Sequence, residues 1–413
     1  MKLLVTGVTR TGNLGGTAML CAVEDVVAPH VEDFALASIL PHQDRRKQGP
    51  DHARIVAADY RYLLLIVAPL CLILWPVRQS QLVRSILARL PLLRDVSSAD
   101  AVADVSGVAF VDGRGLTLLY YNVAVVLPAL FFGKPVHKLS QATGPFTQPI
   151  NAWAARFVLS RCASVAARGT VSLQYLKKLG IPFAERKADV SFALDVPESV
   201  RRRALSEIAR YFIGDEAAPL LICSPSAVVR AHCKAIGVDM IGALAEVLAE
   251  FSRSGVRVAL LPHATDTGIR KNDDMSVILE IQQTIRERGV EIPIVDPHGD
   301  PRLARALVGQ STVFLASRFH SMIAALSQAV PVVTVGWSHK YAEAAEPFGM
   351  EKFTLDYAEL NSENLREKIK GALAAHEELR TAMLAAALDA KKSARDGIMI
   401  VLKRGNSDDS GGG

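Results

Sequence analysis

The amino-acid sequence predicts an α/β protein of two lobes, each a doubly wound parallel sheet with crossover helices. Three observations predict it. Short β-branched or apolar runs alternate with helical patterns from the first residues onward, a charged helical stretch interrupts the alternation near mid-chain, and a second alternating series follows. The first series predicts strands at residues 3–8, 101–105, 135–139, 164–167 and 188–192. The interruption, 198–211, reads as a charged helix ending near Gly214 and Pro219, and so as part of a linker. The second series predicts strands at 220–223, 256–261, 292–295, 312–316 and 332–335, with helices such as 240–251 between them. The expected organisation is therefore a first lobe over 1–195, a linker over 196–217 and a second lobe over 218–371. A helical segment over 372–402 is expected to pack back across the first lobe, and 403–413 is a polar, glycine-rich tail excluded from the fold.

A chain of 413 residues with 50% hydrophobic and 22% charged residues can bury cores of this size. The formal charge of +5 is small. Its basic clusters, Arg45-Arg46-Lys47 and Arg201-Arg202-Arg203, are short and far apart, which suits solvated faces and gives no reason to expect a nucleic-acid partner. The five cysteines form no CxxC pair, so neither a metal site nor a disulfide framework is expected, and a reduced compartment is. Met1-Lys2-Leu3-Leu4-Val5 runs straight into a glycine-rich turn, unlike a secretory leader, and a cytoplasmic location follows as the expectation.

Residues 62–77 are nearly continuous hydrocarbon between Arg61 and Arg78. The run falls short of the ~20 residues a membrane-crossing helix needs, and Pro69 interrupts it. A buried core helix is one reading. The other is peripheral contact with anionic lipid at the inner face of the plasma membrane, because the next stretch, 82–90, is amphipathic with Arg84 and Arg89 near its polar side and Arg94 just beyond.

Ser317-Arg318-Phe319-His320-Ser321-Met322 carries the sharpest chemical signal, at the end of one predicted strand and the start of a helix. The guanidinium fork of Arg318 matches a phosphate or carboxylate, and a helix N-terminus adds N–H donors and the positive end of a dipole. An imidazole at His320 can give or take a proton near neutrality. Arg168 occupies an analogous place in the first lobe, ahead of a helix that Thr170 or Ser172 would cap. Two such arginines, one per lobe and facing across a cleft, suit a small ligand with two anionic groups. Arg168 paired to an acidic neighbour is the plainer alternative.

The turn Gly7 to Thr17 contains Asn13-Leu14-Gly15-Gly16 and would let backbone N–H groups approach an anion or a sugar, although it is neither a phosphate-binding GxxxxGK[ST] loop nor GxGxxG. Three further stretches each follow a predicted strand: 107–115 with Asp112, 141–146 with Gln141 and Gly144, and 337–341 with His339 and Lys340. Asp112 would orient a hydroxyl or act as a base, Gln141 would bond a hydroxyl, and His339 with Lys340 would add positive charge beside a leaving group. His263, past the strand 256–261, is a further candidate.

In that order and spacing, Asn13-Leu14-Gly15-Gly16, Gln141-Ala142-Thr143-Gly144-Pro145, Arg168 with Ser172, Arg318-Phe319-His320 and His339-Lys340 resemble the polysaccharide pyruvyl transferases. The resemblance implies two Rossmann-like lobes in a GT-B-like arrangement around an interlobe cleft. It also implies transfer of a pyruvyl group from phosphoenolpyruvate to a sugar of a cell-surface or exported polysaccharide as a pyruvate ketal. The first lobe would be the acceptor side, the second would hold phosphoenolpyruvate, and the acceptor would be a sugar or a lipid-linked oligosaccharide. Phosphoenolpyruvate would serve as donor substrate with no cofactor and no metal. Arg318, His320 and Arg168 match the family's donor contacts. Catalysis would then rest on His320, Arg318 and Asp112, and substrate binding on Arg168, Arg318, His320, Asn13, Gly15, Gln141, Gly144, His339 and Lys340. The sequence departs from the family at Gly16 and Gly169, where members commonly carry aspartate. Two rivals share the expected fold: a glycosyltransferase using a nucleotide sugar, and a degenerate homologue acting as a scaffold in polysaccharide assembly.

Overall fold

In the computed structural model, which describes residues 1–47, 53–214, 217–265, 273–338 and 340–403, the apolar run Leu3-Leu4-Val5 becomes a fully buried strand. It belongs to a sheet made of β1 (Lys2–Thr6), β2 (Asp33–Ser38), β3 (Arg54–Ala57), β4 (Ala101–Asp104), β5 (Val108–Val111), β6 (Val136–Gly144), β7 (Ser164–Arg168) and β8 (Glu185–Lys187). The strands are parallel in the order β3-β2-β1-β4-β6-β7-β8, with β5 beside β6. A second parallel sheet contains β9 (Leu220–Ser224), β10 (Arg257–Leu260), β11 (Val313–Ala316), β12 (Val332–Gly336) and β13 (Thr354–Asp356), in the order β10-β9-β11-β12-β13. Both sheets are Rossmann-like: strand order reverses between β1 and β4 in one and between β9 and β11 in the other. Ligands of such sheets bind beyond the carboxyl ends of strands at these reversals.

The chain divides into two units, the first comprising Met1–Arg10, Met19–Ala193 and the residues from Lys392 onward, the second Thr11–Ala18 and Leu194–Lys391. Segment 196–217, read from the sequence as a linker, is thus counted with the second unit, where the helix Glu198–Ala209 packs against the helix Pro301–Val308. Residues 215–216 of it lie outside the described residues, as do 404–413 of the expected tail. The late helix His376–Met399 reaches the first unit at its end, where the Ser393 hydroxyl accepts the Ala188 amide at 3.1 Å.

Several expected strands are corrected. Residues 188–192 are not a strand, because the Asp189 carboxylate accepts the Ser191 amide and hydroxyl, at 2.9 and 2.6 Å, and folds the chain into the 3-10 turn Val190–Ala193. Residues 292–295 reach the second sheet only through a parallel bridge between Ile294 and Leu260, since Pro293 has no N–H to give a ladder. Strand β6 runs on to Gly144, so 141–144 is strand and not the loop after one. Strands β2, β3, β5, β8 and β13 have no counterpart in the expectation.

The apolar stretch 62–77 is helical in pieces: a π-helical turn Leu63–Val67, the helix Ala68–Ile73 and a 3-10 turn Trp75–Val77. The wide turn comes just ahead of Pro69, which lacks the N–H of a regular helix. It is not a fully buried helix. Leu63, Leu64, Val67, Ala68 and Cys71 enter the core of the first unit, while Leu65, Ile66, Leu72 and Ile73 face outward. Among the described residues no helix is long and apolar enough to cross a membrane.

Candidate functional site

The end of β11 and the helix Phe319–Leu326 are buried and almost wholly apolar, so Arg318 and His320 carry the polarity of this junction. Arg318 stands at the N-cap in extended conformation. Its Nε and Nη2 donate to Oδ2 and Oδ1 of Asp274, both at 2.6 Å. Asp274 opens the helix Asp274–Glu287, is fully buried, and also accepts the amides of Ala227 at 3.0 Å and Ala264 at 2.8 Å. Burial pushes its carboxyl up, and the Arg318 guanidinium and the two amides pull against that. The fork that the sequence assigned wholly to an anion is therefore gripped along one edge by an aspartate. The sequence reading missed Asp274. A pair of acidic residues, Asp273-Asp274, ahead of an amphipathic run signals a helix start, but not a partner 44 positions away.

The loop Asn13-Leu14-Gly15-Gly16 belongs to the same unit as this junction. Asn13 bridges antiparallel to Ala264, and the Leu14 amide donates to the His263 carbonyl at 3.3 Å. The Asn13 side chain accepts the Gly15 amide at 2.9 Å, as a helix cap does, and opens the helix Leu14–Val27. A Cβ on Gly15 would stand 2.3 Å from Cγ and Nδ1 of His320. The imidazole fills the space that glycine leaves. At Gly16, by contrast, a Cβ would meet nothing within 4 Å.

His263 is buried beside this cluster, and neither ring nitrogen has a hydrogen-bond partner among the described residues. Burial, with the Arg318 and His320 charges adding, pushes its pKa down to about 3. It is a neutral ring at pH 7 and supplies no proton there. A crevice of ≈ 10 Å³ lined by Leu14, His263, Arg305, His320 and Ser321 has room for roughly one water, not for a substrate. Lys340 belongs to the same neighbourhood. Its ammonium lies 4.6 Å from the Trp337 ring centre and 5.5 Å from that of Phe319, which meets the His320 ring edge-on. His339 lies outside the described residues.

Arg168, Asp112, Gln141 and Gly144 belong to the first unit. Arg168 ends β7, is buried, and donates through Nη1 to Asp189 at 2.8 Å. Gly169, not Thr170 or Ser172, is the cap of the next helix, and the Ser172 hydroxyl accepts the Thr143 amide. Asp112 accepts the Thr147 amide and hydroxyl, the Gln148 amide and the Asn151 side chain, between 2.6 and 3.3 Å. Burial works the other way, yet these bonds hold its pKa below the usual value. Asp112 fixes the loop before the helix Pro149–Leu159, and a carboxylate so held is a weak base. Gln141 is buried and donates to the Asp104 carbonyl at 3.4 Å. A Cβ on Gly144 would strike Tyr175. Also absent from the sequence reading is the buried pair Lys138–Asp104, whose carboxylate accepts the Ser106 amide and hydroxyl where the first sheet reverses.

The family model of the polysaccharide pyruvyl transferases matches residues 13–339 of this chain. The chain belongs to that family. The amylovoran biosynthesis protein AmsJ of Erwinia amylovora is 26% identical over 288 residues, 68% of this chain and 67% of that one. Among solved structures, UDP-GlcNAc 2-epimerase from Neisseria meningitidis bound to UDP-GlcNAc is 12% identical with a TM-score of 0.62, covering 97% of this chain and 99% of that one. HepE of Anabaena in complex with UDP is 14% identical with a TM-score of 0.59, over 97% and 99% of the two chains. That likeness is one of fold, the GT-B-like class expected from the sequence. As a polysaccharide pyruvyl transferase family member the chain is read as a transferase of polysaccharide biosynthesis. The matched span opens on Asn13 and takes in Gly15, Arg168, Arg318 and His320. Among the described residues no group of three or more His, Cys, Asp or Glu is arranged to hold a metal.

Proposed function

We propose that this pyruvyl transferase moves the pyruvyl group of phosphoenolpyruvate onto two hydroxyls of one sugar, forming a pyruvate ketal and releasing phosphate. The observation that carries the reading is the Arg318-Phe319-His320 junction, with the guanidinium oriented by Asp274 and the imidazole packed on Gly15. His320 gives a proton to C3 of the enol as the C2–C3 double bond supplies the electron pair, leaving C2 electron-poor. One sugar hydroxyl adds to C2, and its proton returns to the His320 imidazole. The bond from C2 to the phosphate oxygen then breaks, its electron pair leaving with phosphate, and a second hydroxyl closes the ketal as its proton passes to the departing phosphate. Arg318 holds the donor's phosphate. In the first unit Arg168, held by Asp189, is a proposed substrate contact. Lys340 and His339 add positive charge for the leaving group, while Asn13, Gly15, Gln141 and Gly144 are the proposed remaining substrate contacts.

Phosphate release from phosphoenolpyruvate, measured with a panel of glycans and lipid-linked sugars, tests this. The expected result is release that depends on both donor and acceptor, with an acid-labile ketal on the product. Tight binding and turnover of a nucleotide sugar with no response to phosphoenolpyruvate would instead favour a glycosyltransferase.

A further inference from the structure

Among the described residues, the segment 60–86 of the first unit is dense in exposed large apolar side chains. Leu65 and Ile73 are 72% and 75% exposed, and Ile66, Leu72, Leu82 and Ile86 are exposed with them. The spacing of Leu65, Ile66, Leu72 and Ile73 makes one continuous outward stripe, directly opposite the stripe that enters the core. The next helix, Gln81–Leu87, repeats the pattern with Leu82 and Ile86 outward and Leu87 buried.

The charge on this segment is of one sign. Residues 60–94 contain Arg61, Arg78, Arg84, Arg89 and Arg94 and no aspartate or glutamate. Aromatic rings adjoin it: Trp75 has the Arg78 guanidinium 4.7 Å from its ring centre and lies 5.4 Å from Phe157, on which the exposed Trp153 is stacked. Outward aliphatic side chains, arginines without acids, and tryptophans at the margin are what a face resting in the headgroup layer requires. A two-fold contact between copies would bring these arginine sets together, which disfavours a second copy as the occupant.

We infer that the helical face carrying Leu65, Ile66, Leu72, Ile73, Leu82 and Ile86 docks on an anionic lipid surface as a peripheral contact. The inference does not depend on pyruvyl transfer, and its test needs no turnover. The full chain is sedimented with vesicles of phosphatidylcholine alone or with one quarter phosphatidylglycerol. Binding is expected to the anionic vesicles, weakened by salt. The double substitution Ile66→Gln with Ile73→Gln should lower partitioning by about 10-fold or more, because two exposed isoleucines lose the lipid they would bury. The triple substitution Arg61→Glu, Arg89→Glu and Arg94→Glu, all at exposed positions, should remove the preference for anionic vesicles. Absence of binding at low salt, equal binding to both vesicle types, or binding unchanged by both sets of substitutions would overturn the inference. So would a dimer, seen by sedimentation without vesicles, that the isoleucine substitutions dissolve while vesicle binding persists.

Discussion

Gly15 and His320 share one space: a Cβ on the glycine would lie 2.3 Å from two atoms of the imidazole ring. The glycine of the first loop thereby sets where the histidine of the later helix can stand. Gly15→Ala should push the ring aside by about an ångström, a displacement that costs on the order of 10²-fold in turnover when the group is chemical. Steady-state kinetics should record the loss mainly in kcat. An alanine variant with native kcat would mean that His320 does not take part in the reaction.

Gly16 next door is the control. It is the third residue of the helix Leu14–Val27 and has open space around it. Gly16→Asp should fold and gain roughly 0.3–1 kcal/mol, since an acid in the first turn complements the helix dipole. Urea unfolding of the two proteins decides it, and a destabilised variant would contradict the open environment.

The Arg318–Asp274 pair should be costly to break. Asp274→Asn removes the charge and turns one acceptor into a donor facing donors, so the loss should be on the order of 3–5 kcal/mol. A loss of unfolding free energy below about 1 kcal/mol in urea titrations would show that the pair is not what orders this junction.

Binding and chemistry separate within the same motif. Arg318→Lys keeps a charge without the planar fork and should weaken phosphoenolpyruvate binding and slow turnover together. His320→Gln should lower turnover by roughly 10²–10⁴-fold with a smaller effect on donor affinity. Calorimetry beside kinetics distinguishes them. If His320→Gln abolishes donor binding, the imidazole is a ligand contact and the proton comes from elsewhere.

Two buried histidines predict the acid side of the stability profile. Burial takes His263 from 6.5 to about 3 and His137 from 6.5 to about 4. Below pH ~6.5 the unfolded chain binds protons that the folded chain refuses, so this stability is present above ~6.5 and falls with pH, by up to ~1.4 kcal/mol per unit for each ring. The decline from His137 should level off near pH 4 and that from His263 near pH 3. His263→Leu, which has no ring to titrate, should flatten the slope by about one proton in unfolding titrations. An unchanged slope would show that His263 is protonated in the folded chain.

The amino-acid sequence by itself determined the class of fold and the sharpest motif. Runs such as Leu3-Leu4-Val5, Leu220 to Cys223 and Val313 to Ala316 are apolar at consecutive positions, and only a strand covered on both faces suits them. Arg318 and His320 stood out because charge at the end of such a run has a restricted set of uses. Short strands were hidden where the run is brief or polar, as in the exposed Glu185–Lys187, because pairing with neighbours rather than local pattern makes them strands.

Tertiary structure alone decided what each charged group faces. Arg318 meets Asp274 and Arg168 meets Asp189, 44 and 21 positions apart, Lys138 meets Asp104 across 34, and Gly15 makes room for His320. The register of parallel strands and the loops beyond their carboxyl ends bring these partners together. That register follows from how whole faces bury, so no local spacing in the sequence records it. The segment 62–77 divides in the same way: its hydrocarbon was legible, but which half enters the core was settled by the helices it packs against.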